Sequence, residues 1–135
     1  METTTANAIK SGPAATIETF VQRMIDQDLV GVVGLYGPNA VWEVHVPSWD
    51  GTTSDPDEIL DLHQGYFGHL DFRVVDYDII AENYLVGLRW DLEWTDRDDG
   101  APCASFQSHF FQVHDNQIRH HWMYCAGVRA YLPSS

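Results

Sequence analysis

At 135 residues, 44% hydrophobic and 13% aromatic, the chain has the size and composition of one globular domain with its own core. Seven Lys and Arg against 20 Asp and Glu leave a formal net charge of −13, a field that repels phosphate backbones and anionic lipid and so argues against nucleic acid and membrane partners. Two cysteines, Cys103 and Cys125, provide no disulfide framework, which makes a reducing cytoplasm the expected compartment.

Residues 1–13 carry neither the basic stretch nor the apolar run of a signal peptide and read as a flexible polar tail. The spacing of Ile17, Phe20, Val21, Met24 and Ile25 predicts a helix from Pro13 to Asp26, with Ser11 as its cap. Asp28 caps a second, shorter helix with the face Leu29, Val32, Val33 and Tyr36, ended by Gly37-Pro38-Asn39. This nearly apolar run is too short to cross a bilayer. Residues 40–47 alternate with period two and predict a strand, and Gly51 to Ser54 reads as a turn.

A third helix starts at Ser54-Asp55-Pro56, with acids beside its N-terminal dipole. Its buried stripe is Ile59, Leu62, His63, Tyr66 and Phe67, and Gly68 closes it. Segments 71–80, 83–94, 103–114 and 117–126 are rich in β-branched and aromatic residues and predict four antiparallel strands, the last two joined by an Asp115-Asn116 hairpin. Residues 131–135 form a tail, leaving 14–130 as a single domain. The order predicts an α+β fold: a curved mixed, mainly antiparallel sheet forming a cone, with three helices enclosing a cavity.

Four of the seven histidines, His109, His114, His120 and His121, crowd into the last two strands. Alternation separates His120 from His121, so they cannot chelate one ion from one face. There is no HExxH, paired-cysteine or His-carboxylate spacing, so no metal and no cofactor are expected. Cys125 reads as a small buried hydrophobe rather than a nucleophile.

Four stretches, "DLVGVVGLYGPNAVWE", "YFGHLDFRVVDY", "VGLRWDLEWTD" and "FFQVHDNQIRHHW", resemble the nuclear transport factor two-like superfamily. That group includes ketosteroid isomerase, limonene epoxide hydrolase, scytalone dehydratase and the SnoaL-like polyketide cyclases. The resemblance runs from about Ala14 to Gly127 and implies the cone fold. Its register implies that Trp42, Val44 and Val46 point inward, as do Ser105, Gln107, His109, Phe111 and Val113, and Arg119, His121, Met123 and Cys125. On the strand between them it implies an inward Arg89, Asp91 and Glu93, matching the Arg-x-Asp of limonene epoxide hydrolase. Composition supports the opposite reading of that strand, with Trp90, Leu92 and Trp94 in the core and the charged set in solvent.

On the resemblance, the chain is a cofactor-independent acid/base enzyme acting on a hydrophobic small molecule, by cyclisation, epoxide opening or dehydration of a polyketide or terpenoid intermediate. Asp91 and His109 would move protons, Arg89 would orient Asp91 or bind an oxygen, and His121 would assist. Phe20, Trp42, Val44, Tyr66, Gln107, Phe111 and Met123 would form the substrate pocket, and the outer sheet face would make a homodimer. No relative's mechanism transfers whole: Val44, Phe20 and His109 stand where ketosteroid isomerase has its base, tyrosine and aspartic acid. Met123 stands where limonene epoxide hydrolase has its second aspartate. The alternative is a noncatalytic ligand-binding or dimerisation module of the same fold.

Overall fold

Helix α1 (Pro13–Ile25) begins with Pro13 in its first turn and buries Ile17, Phe20, Val21 and Met24 along one stripe. Ile25, expected on that stripe, is 42% exposed. Eight residues beyond Ile17, at 3.6 per turn, it has rotated about 80° away from it. The computed structural model describes residues 12–46, 49–68, 70–96 and 100–130. Ser11 and most of both expected tails lie outside the described residues. Helix α2 (Leu29–Val33) is capped as expected: Gly31 N–H donates to Asp28 Oδ1 at 2.9 Å.

Strand β1 (Tyr36–Val46) is longer than the alternation predicted, because Tyr36 to Asn39 belong to it and not to a helix end. Asn39 sits in the left-handed region at φ 60, beside a register shift between Tyr36 and Val41. This is a bulge that ends one pairing and re-aims the strand. Where a turn was expected, strand β2 (Trp49–Thr53) pairs antiparallel with β1, Trp42 opposite Thr53 and Val46 opposite Trp49. Its composition, with Gly51 and two threonines, carries no apolar alternation, because an edge strand pairs on one side only. Helix α3 (Pro56–Phe67) is capped by Asp55, whose Oδ1 accepts from Asp57 N–H at 2.9 Å.

The remaining strands are β3 (Leu70–Glu82), β4 (Leu85–Asp96), β5 (Pro102–His114) and β6 (Gln117–Ala130). Asp115 and Asn116 both have positive φ, 54 and 61, as a two-residue primed hairpin turn requires. Among the described residues, three helices pack on one face of a six-stranded sheet of order β2-β1-β6-β5-β4-β3. Only β1 and β6 run parallel within it. The architecture is the expected cone.

One strand departs from the inward set that the resemblance implied. On β4 it is Leu88, Trp90, Leu92 and Trp94 that are buried, at 2%, 0%, 2% and 9% exposure, whereas Arg89, Asp91 and Glu93 lie on the outer face. The pairing with β5 enforces this: Leu88 is opposite His109, Trp90 opposite Gln107 and Leu92 opposite Ser105, all inward residues. Partners directly opposite share a face, and a slip of one residue would exchange the whole set. Exposing the four apolar side chains instead would cost roughly 1.5–3 kcal/mol each. Arg89 is held outside by carboxylates, donating from Nη1 to Asp91 at 2.9 Å and from Nη2 to Asp76 and Asp78 at 3.0 and 2.8 Å.

Candidate functional site

Inside the cone five side chains form one connected polar row. Trp90 on β4 donates its indole N–H to Gln107 Oε1 at 2.7 Å. His109 Nε2 lies 3.0 Å from the same oxygen, and His109 Nδ1 lies 2.7 Å from His121 Nε2. At the far end Tyr36 Oη is 2.6 Å from His121 Nδ1. Sequence spacing explains the row: Gln107 and His109 are two apart on β5, and His121 lies on β6, where Met123 is the direct partner of His109.

The direction of every bond in this row follows from its first member. An indole N–H only donates, so the atom that faces it must be the Gln107 oxygen. His109 must then carry its proton on Nε2 to donate to that oxygen. Its Nδ1 is consequently an acceptor, and His121 donates to it from Nε2–H. His121 Nδ1 is left as an acceptor for the Tyr36 hydroxyl. The assignment needs both rings neutral. Burial enforces that: it pushes His109 down to about 3 and His121 well below the usual histidine range.

A third histidine faces the same interior. His63 on α3 lies 2.9 Å from the Ile59 carbonyl through Nδ1, which must donate, and burial lowers its pKa to about 4. Its ring stacks on Trp42 with centroids 4.3 Å apart, and Trp42 lies 5.7 Å from His121. Phe20 and Phe111 enclose the His121 ring at 5.7 and 4.3 Å. Burial with no cation nearby raises the Tyr36 hydroxyl well above its ordinary value. Two buried donors have no acceptor, Trp42 Nε1 and Gln107 Nε2.

A cleft of about 660 Å³ opens beside this interior, between Gln27–Val30, the end of α3 and Phe72. Phe67 forms part of its wall and stands 6.2 Å from His63, so one aromatic layer separates the cleft from the polar row.

The structure therefore brings together His109, His121, Gln107, Trp42, Phe20 and Phe111, with Val44 and Met123 buried in the same core. Tyr66 lies on α3, but its side chain is outside the described residues. Asp91 and Arg89 contact each other but not the histidines. They line a separate concavity of about 740 Å³ on the outer face, with His45, Phe106, Ser108 and Tyr124. His120 is also outside, paired with Glu43, whose pKa it lowers. Sequence reasoning missed Tyr36, placed on a helix, and gave no role to His63 or Trp90. The signal for His63 was present, a lone titratable residue in the apolar stripe Ile59–Phe67.

A family model described as a SnoaL-like domain matches residues 17–121. No curated protein matches the sequence. Among solved structures, the chain is similar to a candidate polyketide cyclase from Xanthomonas campestris pv. campestris at 12% identity and a TM-score of 0.73, covering 82% of this chain and 87% of that one. It is also similar to a limonene-epoxide-hydrolase-like epoxide hydrolase of M. tuberculosis, at 16% identity and a TM-score of 0.67, with 84% and 81% covered. A third likeness is to TerC co-crystallized with polyporic acid, at 16% identity and a TM-score of 0.72, with 85% and 92% covered. At these identities the likeness shows the fold alone.

Proposed function

The chain belongs to the SnoaL-like domain family, and from that premise we propose that it is an acid/base enzyme acting on a hydrophobic small molecule inside the cone. The observation that carries the reading is the directed row Tyr36–His121–His109–Gln107. Three buried, neutral histidines are costly to keep for stability alone, since each exchanges water for a single defined set of partners. In this reading Tyr36 and His121 exchange protons with the substrate. As the Tyr36 proton moves to His121 Nδ1, the Nε2 proton of His121 passes to His109 Nδ1. The resulting imidazolium then rests against the Gln107 oxygen. Phe20, Trp42, Phe111 and Met123 exclude water, and Asp91 and Arg89 take no part in the chemistry. Cyclisation, epoxide opening and dehydration all fit such a relay, as do the named activities of the similar structures.

The test is turnover of a panel of cyclic epoxides and poly-carbonyl aromatics by the wild type and by His121→Phe and His109→Phe. Losses of about 10²–10⁴-fold in kcat are expected for general acid/base groups. Full turnover by both variants ends the assignment. A noncatalytic binding module is the second reading, favoured by Trp90 and Trp94 filling the core where the charged set was expected. Tight binding of the panel with no turnover would select it. Self-association through the outer face, where Phe106, Phe110 and Tyr124 are exposed, is part of either reading.

A further inference from the structure

Among the described residues, the buried side-chain atoms that lack a hydrogen-bond partner are Trp42 Nε1, Gln107 Nε2 and Arg119 Nε. All three are donors. Buried polar groups are ordinarily satisfied, so the imbalance has a definite sign: this molecule is short of acceptors. Gln107 is the most constrained of the three. Its oxygen already accepts from Trp90 Nε1–H at 2.7 Å and lies 3.0 Å from His109 Nε2, so the amide cannot flip to hide its NH2. The residue is 2% exposed, as is Trp42. Rotation would trade one lost bond for two.

We infer that Gln107 is a specificity-determining residue of the cone, its locked amide N–H donating to an uncharged acceptor oxygen, a ketone or ether type, on an otherwise apolar ring-shaped ligand. The inference rests on the proposed small-molecule site and adds to it the chemical class of ligand. The oxygen must be uncharged, because the described inward side chains supply no cation to balance a buried carboxylate. The ligand is ring-shaped because the surroundings are aromatic faces: Trp42, His63 and Phe20 present flat surfaces that favour stacking. Trp42 Nε1–H supplies a second donor of the same kind elsewhere in the interior.

The experiment titrates three probes of similar size, α-tetralone, tetralin and naphthoate, into the full-length protein. It follows affinity by calorimetry and the Gln107 side-chain NH2 resonance by ¹⁵N NMR, assigned through its absence in Gln107→Met. The expected result is that the ketone binds about three- to tenfold tighter than the hydrocarbon, the span of one net hydrogen bond. The ketone alone should move the Gln107 NH2 resonance downfield, and Gln107→Met should bring ketone affinity down to that of tetralin. The NMR readout uses the wild type, so a variant that fails to fold leaves the test intact. Equal affinity for ketone and hydrocarbon, with an unmoved amide resonance, overturns the inference while leaving the small-molecule site standing. Tightest binding of naphthoate overturns the uncharged class. Failure of every probe to bind overturns both.

Discussion

His109 Nδ1 lies 2.7 Å from His121 Nε2, and the direction of that hydrogen bond is set by Trp90, which touches His109 only through Gln107. A group that can only donate thus decides the tautomers of two rings further along. The first prediction is spectroscopic. Both His109 and His121 should be neutral Nε2–H tautomers at pH 7, read from ¹⁵N chemical shifts of the ring nitrogens. An Nδ1 proton on either ring would break the assigned row.

Stability should fall with acid. Burial lowers His63 to about 4, His109 to about 3 and His121 well below its ordinary value. A histidine whose folded pKa is depressed binds its proton more readily in the unfolded chain. Its stabilising contribution is therefore complete above about pH 6.5 and is lost as pH falls toward 4 and 3. Each such group adds a slope of about 1.4 kcal/mol per pH unit within its window. Urea midpoints measured from pH 7 to pH 4 should decline, and His63→Phe should make the decline shallower. A flat profile would show that the rings are not buried.

Tyr36→Phe removes the donor to His121 Nδ1 and leaves a buried acceptor unmet. The expected cost is about 1–3 kcal/mol in chemical denaturation, with turnover lost as well. Unchanged stability and turnover would remove Tyr36 from the row.

Asp91→Asn and Arg89→Met test the outer placement. Arg89 bridges Asp76, Asp78 and Asp91 on the surface, where ion pairs are worth about 0–1 kcal/mol each. Both variants should keep near-wild-type stability and turnover. A large loss of kcat in either would return these residues to the chemistry.

Phe106→Asp places a charge among the exposed Phe106, Phe110 and Tyr124 of the outer face. If that face joins two copies, sedimentation at micromolar concentration should show a dimer for the wild type and a monomer for the variant. Circular dichroism should be unchanged between them. A wild-type monomer would leave the patch unoccupied by a second copy.

The fold was legible because it depends on local patterns. The stripe Ile17–Met24, the caps at Asp28 and Asp55, and the left-handed pair Asp115-Asn116 each act within a few residues. The inward pair His109 and His121 was legible for the same reason, since alternation on two hairpin-joined strands places both on one face. Strand β2 was not, because an edge strand owes its shape to β1 and not to its own residues.

The facing of β4 shows where local pattern stops. Leu88, Trp90, Leu92 and Trp94 alternate cleanly with Arg89, Asp91 and Glu93, so the sequence by itself determined two sets. It did not determine which set is buried. Register with β5 decided that, and with it sent Asp91 outward and brought Trp90 onto Gln107. The polar row was invisible for a related reason. Tyr36 and His121 are 85 positions apart, and a hydrogen bond across that distance exists only once β1 lies parallel to β6. Periodicity belongs to a segment, whereas the direction of a proton belongs to the packed interior.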